Sequence, residues 1–199
     1  MCGEGNPEAT LALVGEAPGE REARLGRPFV GRAGRLLDQV LAEVGHNRGD
    51  LWITNVVKFR PTVEVAGRLR NRAPTGAEMR QWLPALQEEL QILAPRAILC
   101  LGAVAAKVLI DPKFTLSREC GQWRPGPFGS VIAATYHPAY LLRLEGEAYQ
   151  RALAEFRADL QAALATAAGA AAVPKAFGMN RSEQNPRDAQ GVEGREVGR

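Results

Sequence analysis

Four short apolar runs recur along the chain, and amphipathic helical patterns separate them. The runs are 10–15 (TLALVG), 51–57 (LWITNVV), 97–102 (AILCLG) and 130–136 (SVIAATY). Each is too short for a typical helix and is bounded by turn-forming or polar residues, so each predicts a buried strand. Strands that alternate with helices favour right-handed crossovers and a parallel sheet covered on both faces. We therefore predict a three-layer α/β/α sandwich with a central, mainly parallel four-stranded sheet.

Helical periodicity and composition set the expected domain boundaries. Apolar stripes predict helices over 36–44, 79–93, 103–110 and 147–164, and the Gly- and Pro-rich segment 121–130 predicts a turn or hairpin before the last strand. From residue 166 the chain is rich in Ala, Gly and polar residues without a period. We predict one domain over 1–165 and a disordered tail over 166–199.

Charge and cysteine usage narrow the function classes. A net charge of +3 and a pI near 9.0 suit an anionic partner without requiring one. The three cysteines lack C-x-x-C spacing, so no disulfide framework, metal site or cofactor is predicted, and a reducing cytoplasm is expected. No signal peptide is recognisable, and no apolar run approaches the ~20 residues that a membrane helix needs, so no membrane partner is expected.

Ligands of such sheets bind outside the carboxyl ends of the strands. After the first strand, segment 15–34 has a Gly/Pro turn crowded by carboxylates, among them Glu16 and Glu22. A phosphate-binding loop would avoid that negative charge, and neither nucleotide-binding glycine pattern is present. Phe29 lies in a loop bracketed by Gly and Pro, where its ring either stacks on a ligand or plugs the loop onto the domain.

Asn55 ends the second strand. A primary amide has a donor beside an acceptor, the mirror image of the imide edge of uracil. Because an unpartnered buried amide is costly, Asn55 either reads a ligand or ties down a loop.

The fourth strand is followed by YHPAYLLR, which brings His137 to the same edge. Tyr140, Leu141 and Leu142 offer bulky groups beside Arg143, a combination that suits a wedge in a base stack and a phosphate contact. The alternatives are that His137 is a satisfied core residue and that the leucines begin the last helix and point inward.

Segment 58–80 has the strongest local charge bias of the chain. It carries Lys58, Arg60, Arg68, Arg70, Arg72 and Arg80 against Glu64 and Glu78. Such a run is either a solvated face or a surface that holds phosphates.

Seven segments in a fixed order resemble the uracil-DNA glycosylase superfamily, and most closely its family 4. They are GEGNP (3–7), LVGEAPGE (13–20), GRPFVGRAG (26–34), ITNVVK (53–58), NRAPT (71–75), LGAVAAK (101–107) and HPAYLLR (137–143). The resemblance implies a monofunctional glycosylase that flips uracil, or another deaminated base, out of single- or double-stranded DNA and leaves an abasic site. A monomer in the bacterial cytoplasm, associated with the nucleoid, is expected.

The resemblance also implies roles for individual residues. Glu16 and Ala17 would lie in the loop that activates water and meets the uracil edge, Phe29 would stack on the base, Asn55 would read its imide edge, and His137 would bind its O2. Asn71 would line the pocket mouth or contact DNA, and Leu141 and Leu142 would supply the wedge. Phosphates would be held by Lys58, Arg60, Arg70, Arg72 and Arg143.

Three departures from the family pattern have consequences. Family 4 carries a four-cysteine iron–sulfur cluster, but this sequence has no N-terminal C-x-x-C and has Phe59 and Trp82 at the other two positions, so we expect aromatic filling and no cluster. Ala17 replaces an aspartate of related enzymes, which leaves Glu16 or Glu22 to activate water. Asn71 replaces a histidine that traps the product in one branch, which favours turnover.

Two other functions stay open from the sequence. One is a non-catalytic or product-trapping binder of uracil or abasic DNA on the same fold. The other is a glycosylase that prefers hypoxanthine or xanthine, because loop geometry sets the pocket.

Overall fold

A six-stranded sheet forms the centre of the computed structural model, which describes residues 1–170. The strands in chain order are β1 (Glu4–Gly5), β2 (Leu11–Gly15), β3 (Trp52–Asn55), β4 (Thr62–Val65), β5 (Arg68–Asn71), β6 (Ala97–Leu101), β7 (Arg124–Pro125) and β8 (Val131–Thr135). The sheet order is β1-β3-β2-β6-β8-β7. The four inner strands are parallel, as the sequence predicted, and two-residue antiparallel strands border them.

Helices cover both faces of the sheet. They are α1 (Glu20–Leu25), α2 (Arg32–Glu43), α3 (Gly76–Leu93), α4 (Ala103–Leu109), α5 (Leu116–Glu119), α6 (Pro138–Leu141) and α7 (Gly146–Ala167). Leu11 and Leu13 of β2 pack with the apolar faces of α2 and α7, whereas Ala12 and Val14 face α3 and α4. This alternation follows from the two-residue period of a strand, and it produces the predicted three layers.

The last helix ends at Ala167, whose side chain is buried, two residues beyond the predicted domain boundary. Most of the predicted tail, from residue 171, lies outside the described residues. None of the helices within residues 1–170 is long and apolar enough to cross a membrane.

The predicted hairpin over 121–130 is present. β7 pairs antiparallel with β8, and Gly126 N donates to Ser130 O at 2.9 Å.

A second hairpin, β4–β5, was not predicted, because the segment was interpreted from its charge, and the alternation of Val63 and Val65 with Thr62 and Glu64 spans only four residues. Its strands turn at Ala66 and Gly67, both with positive φ (50° and 72°), the backbone geometry of tight hairpin turns.

Strand register brings the functional segments to one edge. Gly15 of β2 lies opposite Asn55 of β3, and Leu101 of β6 lies opposite Thr135 of β8. The parallel strands therefore end at the same level, and the loops that follow them surround one space.

Candidate active site

A cavity of about 680 Å³ opens at this edge. Its lining includes the predicted residues Glu16, Ala17, Glu22, Phe29, Asn55, Asn71, Arg72, His137 and Arg143. Segments separated by more than 100 residues in the sequence thus meet in one place, as the strand-end rule requires. The volume is in the range of small-ligand sites.

Asn55 lies on the floor of the cavity and is only 3% exposed. Its Oδ1 is buried and has no hydrogen-bond partner among residues 1–170. An unpartnered buried amide oxygen costs about 1–3 kcal/mol, so the site is incomplete without a donor from a ligand. This oxygen argues against the alternative that Asn55 ties down a loop.

Gly15 leaves room for that amide. A Cβ at Gly15 would lie 2.5 Å from Asn55 Oδ1 and 2.5 Å from Phe29 Cζ. The ring of Phe29 and the amide of Asn55 therefore meet across a position where only glycine fits.

Phe29 is held in an uncommon conformation, with φ at 51° and 5% exposure. Arg48 donates to Pro28 O at 2.6 Å and to Phe29 O at 3.0 Å. Glu22 Oε1 accepts from Val30 N at 3.0 Å and from Gly31 N at 2.6 Å. These contacts fix the loop from both sides, so the Phe29 ring forms a preorganised wall of the cavity.

His137 stacks on that ring with centroids 5.6 Å apart. Its Nδ1 accepts from Ala139 N at 3.0 Å, so the proton of the neutral ring is on Nε2. Burial, and secondarily the charge of Arg143, lower the pKa of His137 to about 4, while Glu22 opposes this shift. At neutral pH the histidine is therefore an uncharged N–H donor.

The two candidate carboxylates have different surroundings. Glu16 is half-buried in the cavity wall, and burial raises its pKa. One carboxylate oxygen of Glu22 accepts hydrogen bonds from the backbone of the Phe29 loop. Glu16 is therefore the carboxylate better suited to take a proton, and Glu22 shapes the loop.

Arginines surround the mouth of the cavity, and some of them are paired with other side chains. Arg60 donates to Asn71 Oδ1 at 2.7 Å and to Glu20 at 3.2 Å, and Arg72 forms a bidentate pair with Glu78 at 2.6 and 2.7 Å. Arg143 and Arg70 are exposed, Arg143 at the mouth and Arg70 on the hairpin.

Two predicted DNA contacts do not agree with the structure. Lys58 is buried and paired with Glu89 and Thr54, so its charge is directed into the protein. Leu141 is fully buried in the core between α2 and α7, because α6, which begins at Pro138, turns its side chain inward. Leu142 is half-buried against the same core. The expected wedge of leucines is therefore absent from this conformation.

Sequence reasoning missed the residues that support the site from behind. One of them is Arg48, described above. The other is Glu89 of α3, whose carboxylate accepts from Gly3 N at 3.0 Å, Trp52 Nε1 at 2.9 Å and Thr54 Oγ1 at 3.0 Å. Glu89 also pairs with Lys58. These bonds tie α3 to the strand that ends in Asn55. No sequence signal distinguishes either residue from an ordinary surface charge.

The absence of an iron–sulfur cluster stays a prediction from the sequence. Nowhere in residues 1–170 do three or more His, Cys, Asp or Glu side chains lie where they could hold a metal ion. Phe59 and Trp82 occupy the two positions discussed above, with ring centroids 6.3 Å apart. They fill the region incompletely, because Phe59 is 37% exposed and a groove of about 440 Å³ runs beside Trp82.

Three groups surround the cavity: the ring of Phe29, the amide edge of Asn55 and the neutral N–H donor of His137. This arrangement suits a flat heterocycle. Fold and site together thus define an α/β protein with a pocket for a single base at the carboxyl edge of its sheet.

Comparison with known proteins gives the family. Residues 2–161 match the model of the uracil DNA glycosylase superfamily, and the chain belongs to it. The chain is 41% identical over 164 residues to a type-4 uracil-DNA glycosylase of Pyrobaculum aerophilum, covering 77% of this chain and 80% of that one. It is 39% identical over 156 residues to the type-4 enzyme of Thermotoga maritima (78% of each) and 43% over 148 residues to that of Archaeoglobus fulgidus (70% of each). The family predicted from the seven segments is confirmed.

Proposed function

We propose that this protein hydrolyses the N-glycosidic bond of deoxyuridine in DNA and leaves an abasic site. The observation that carries the proposal is Asn55 Oδ1 at the floor of the cavity, which is buried and has no hydrogen-bond partner within residues 1–170. The N3–H of uracil supplies the missing donor, and the amide N–H₂ can donate to O4. The names of the type-4 relatives support the same substrate.

The base reaches this cavity only after rotation out of the duplex. Once inside, it lies against the ring of Phe29, which Arg48 and Glu22 hold in place. Cytosine is disfavoured because it presents the wrong edge to Asn55, since its N3 is an acceptor and its N4 a donor.

Negative charge develops on the uracil ring as the bond breaks, and His137 stabilises this charge with a hydrogen bond. The contact from Ala139 N keeps the Nδ1 lone pair occupied, so Nε2–H is available for the uracil O2. Because the ring is already neutral and oriented, no reorganisation is needed as charge builds, and such a donor is commonly worth ~3 kcal/mol.

Water must then attack C1′ of the sugar. Glu16 is the proposed base, because it lines the cavity, burial raises its pKa, and its carboxylate accepts no hydrogen bond from residues 1–170. Glu22 is assigned the support of the Phe29 loop. The proposed setting is the bacterial cytoplasm, on nucleoid DNA, with the protein as a monomer.

The test is a panel of oligonucleotides that each contain one uracil, hypoxanthine, xanthine or unmodified cytosine, in single strands and in duplexes. After incubation and alkali treatment, strand cleavage at uracil with multiple turnovers is expected. Cleavage confined to hypoxanthine or xanthine would replace uracil as the substrate. Tight binding to uracil DNA without cleavage would show a binder instead of an enzyme.

A further inference from the structure

A nucleotide that leaves a duplex opens a gap, which closes again unless something fills it. The buried position of Leu141 leaves the protein without the wedge that its sequence predicted. Tyr140, next to the lining residue Ala139, is exposed, but its ring is stacked on Tyr136 with centroids 5.5 Å apart. Another apolar group near the mouth is therefore required.

The β4–β5 hairpin has a firm base and a free tip. At its base, Arg72 N donates to Pro61 O at 3.2 Å, Arg72 Nε donates to Thr62 O at 3.1 Å, and the Arg72–Glu78 pair anchors it to α3. Beyond this base, residues 63–70 are all exposed. The hairpin thus projects as a braced arm beside the cavity.

Leu69 is 61% exposed on this arm. Asn71, two residues further along β5, lines the cavity. Residues i and i+2 of a strand face the same side, so Leu69 projects from the cavity side of the arm, ~7 Å further out. Val63 and Val65, also exposed, belong to the opposite face because they pair with Arg70 and Arg68.

The charge around Leu69 suits DNA. Arg68 and Arg70 flank it in sequence, are exposed, and take part in none of the ion pairs found within residues 1–170. Glu64, across the strand from Leu69, is the one carboxylate of β4 and β5. By the same pairing, Arg68 and Arg70 project from the face opposite Leu69. The arm therefore presents an apolar group on its cavity side and two cations on its other side, which suits a base stack with phosphates beside it.

We propose that Leu69 is a wedge that enters the base stack of duplex DNA beside the flipped nucleotide, with Arg68 and Arg70 on the adjoining phosphates. The inference rests on the proposed function for its substrate. It assigns the duplex contact to a segment other than the strand-end loop that carries Leu141.

Unstacking is measured directly with a duplex that carries 2-aminopurine next to an unreactive 2′-fluoro-deoxyuridine. Binding of the wild-type protein should raise the 2-aminopurine fluorescence, and Leu69→Ala should lose most of the rise at saturating protein. Leu69→Phe should retain it, and Val65→Ala, on the opposite face of the same hairpin, should behave as wild type. This readout needs no excision, so it separates the wedge from the proposed chemistry.

Excision gives the second readout. Leu69→Ala should slow single-turnover excision from a U·A duplex about tenfold and leave single-stranded substrate within about twofold, because a single strand has no stack to open. Equal fluorescence and equal duplex rates for Leu69→Ala and wild type would overturn the wedge. So would a duplex-specific loss in Tyr140→Ala that Leu69→Ala lacks. Failure of the wild type to excise uracil from both single strands and duplexes would overturn the proposed function alone, because the fluorescence readout does not depend on excision.

Discussion

Replacement of Asn55 by leucine should separate recognition from stability. Leucine has nearly the same shape as asparagine but no polar atoms. In the wild type, Asn55 Oδ1 is buried and has no partner within residues 1–170, so its removal takes away a destabilising group. We expect the free energy of unfolding to stay equal or rise by about 1 kcal/mol, which is a rise of about 2–4 °C in Tm for a domain of this size.

The effect on excision should be opposite and much larger. Uracil bound against leucine leaves its N3–H and O4 without partners in a dry pocket, at about 1–3 kcal/mol each. The sum of about 2–6 kcal/mol corresponds to a loss of about thirtyfold to more than ten-thousandfold in kcat/KM. Single-turnover excision of a uracil oligonucleotide and thermal melting are measured on the same preparation.

Thr54→Val is the matched control, one residue earlier in β3. Thr54 donates to Glu89 and accepts from Lys58 on the side away from the cavity, so its loss should lower Tm and spare excision per folded molecule. If Asn55→Leu melts several degrees lower than wild type and excises uracil at the wild-type rate, Asn55 ties the loop and the recognition argument is refuted.

Four further predictions follow from the site. His137→Ala should slow single-turnover excision about a hundredfold with little change in DNA affinity. Because the folded-state pKa of His137, about 4, lies below the ordinary 6.5, the wild type should also lose stability as the pH falls from 6.5 to 4. His137→Ala should lose less stability over this range, which acid titration followed by circular dichroism will test. Glu16→Gln should lower the plateau of the pH–rate profile by about a hundredfold or more and remove the acid limb that the pKa of Glu16, raised by burial, creates. An unchanged profile would exclude Glu16 as the base. Gly15→Ala should abolish uracil excision, since its methyl group would collide with Phe29 and Asn55, and an active variant would contradict this geometry. The purified protein should be colourless and free of iron, which metal analysis and absorbance near 400 nm will check.

The sequence by itself determined the layers of this fold. Runs such as 97–102 are apolar throughout, because a central parallel strand is covered on both faces, and the stripe of α2 repeats with the helical period. Since parallel strands end at one edge, the sequence also brought Glu16, Asn55 and His137 to a common site. These features depend on local periodicity and topology, which the order of residues specifies.

Only the tertiary structure decided which way individual side chains face. Leu141 and Lys58 follow strand ends like the residues that line the cavity, but the packing of α6 buries Leu141, and Glu89 of α3 pairs with Lys58. The two-residue strands β1 and β7 are too short to carry a period. Residues 63–70 of the β4–β5 hairpin are all exposed, so the short alternation of Val63 and Val65 with polar residues did not identify a strand. Burial and pairing of this kind arise from contacts between distant segments, and the local pattern of residues does not encode them.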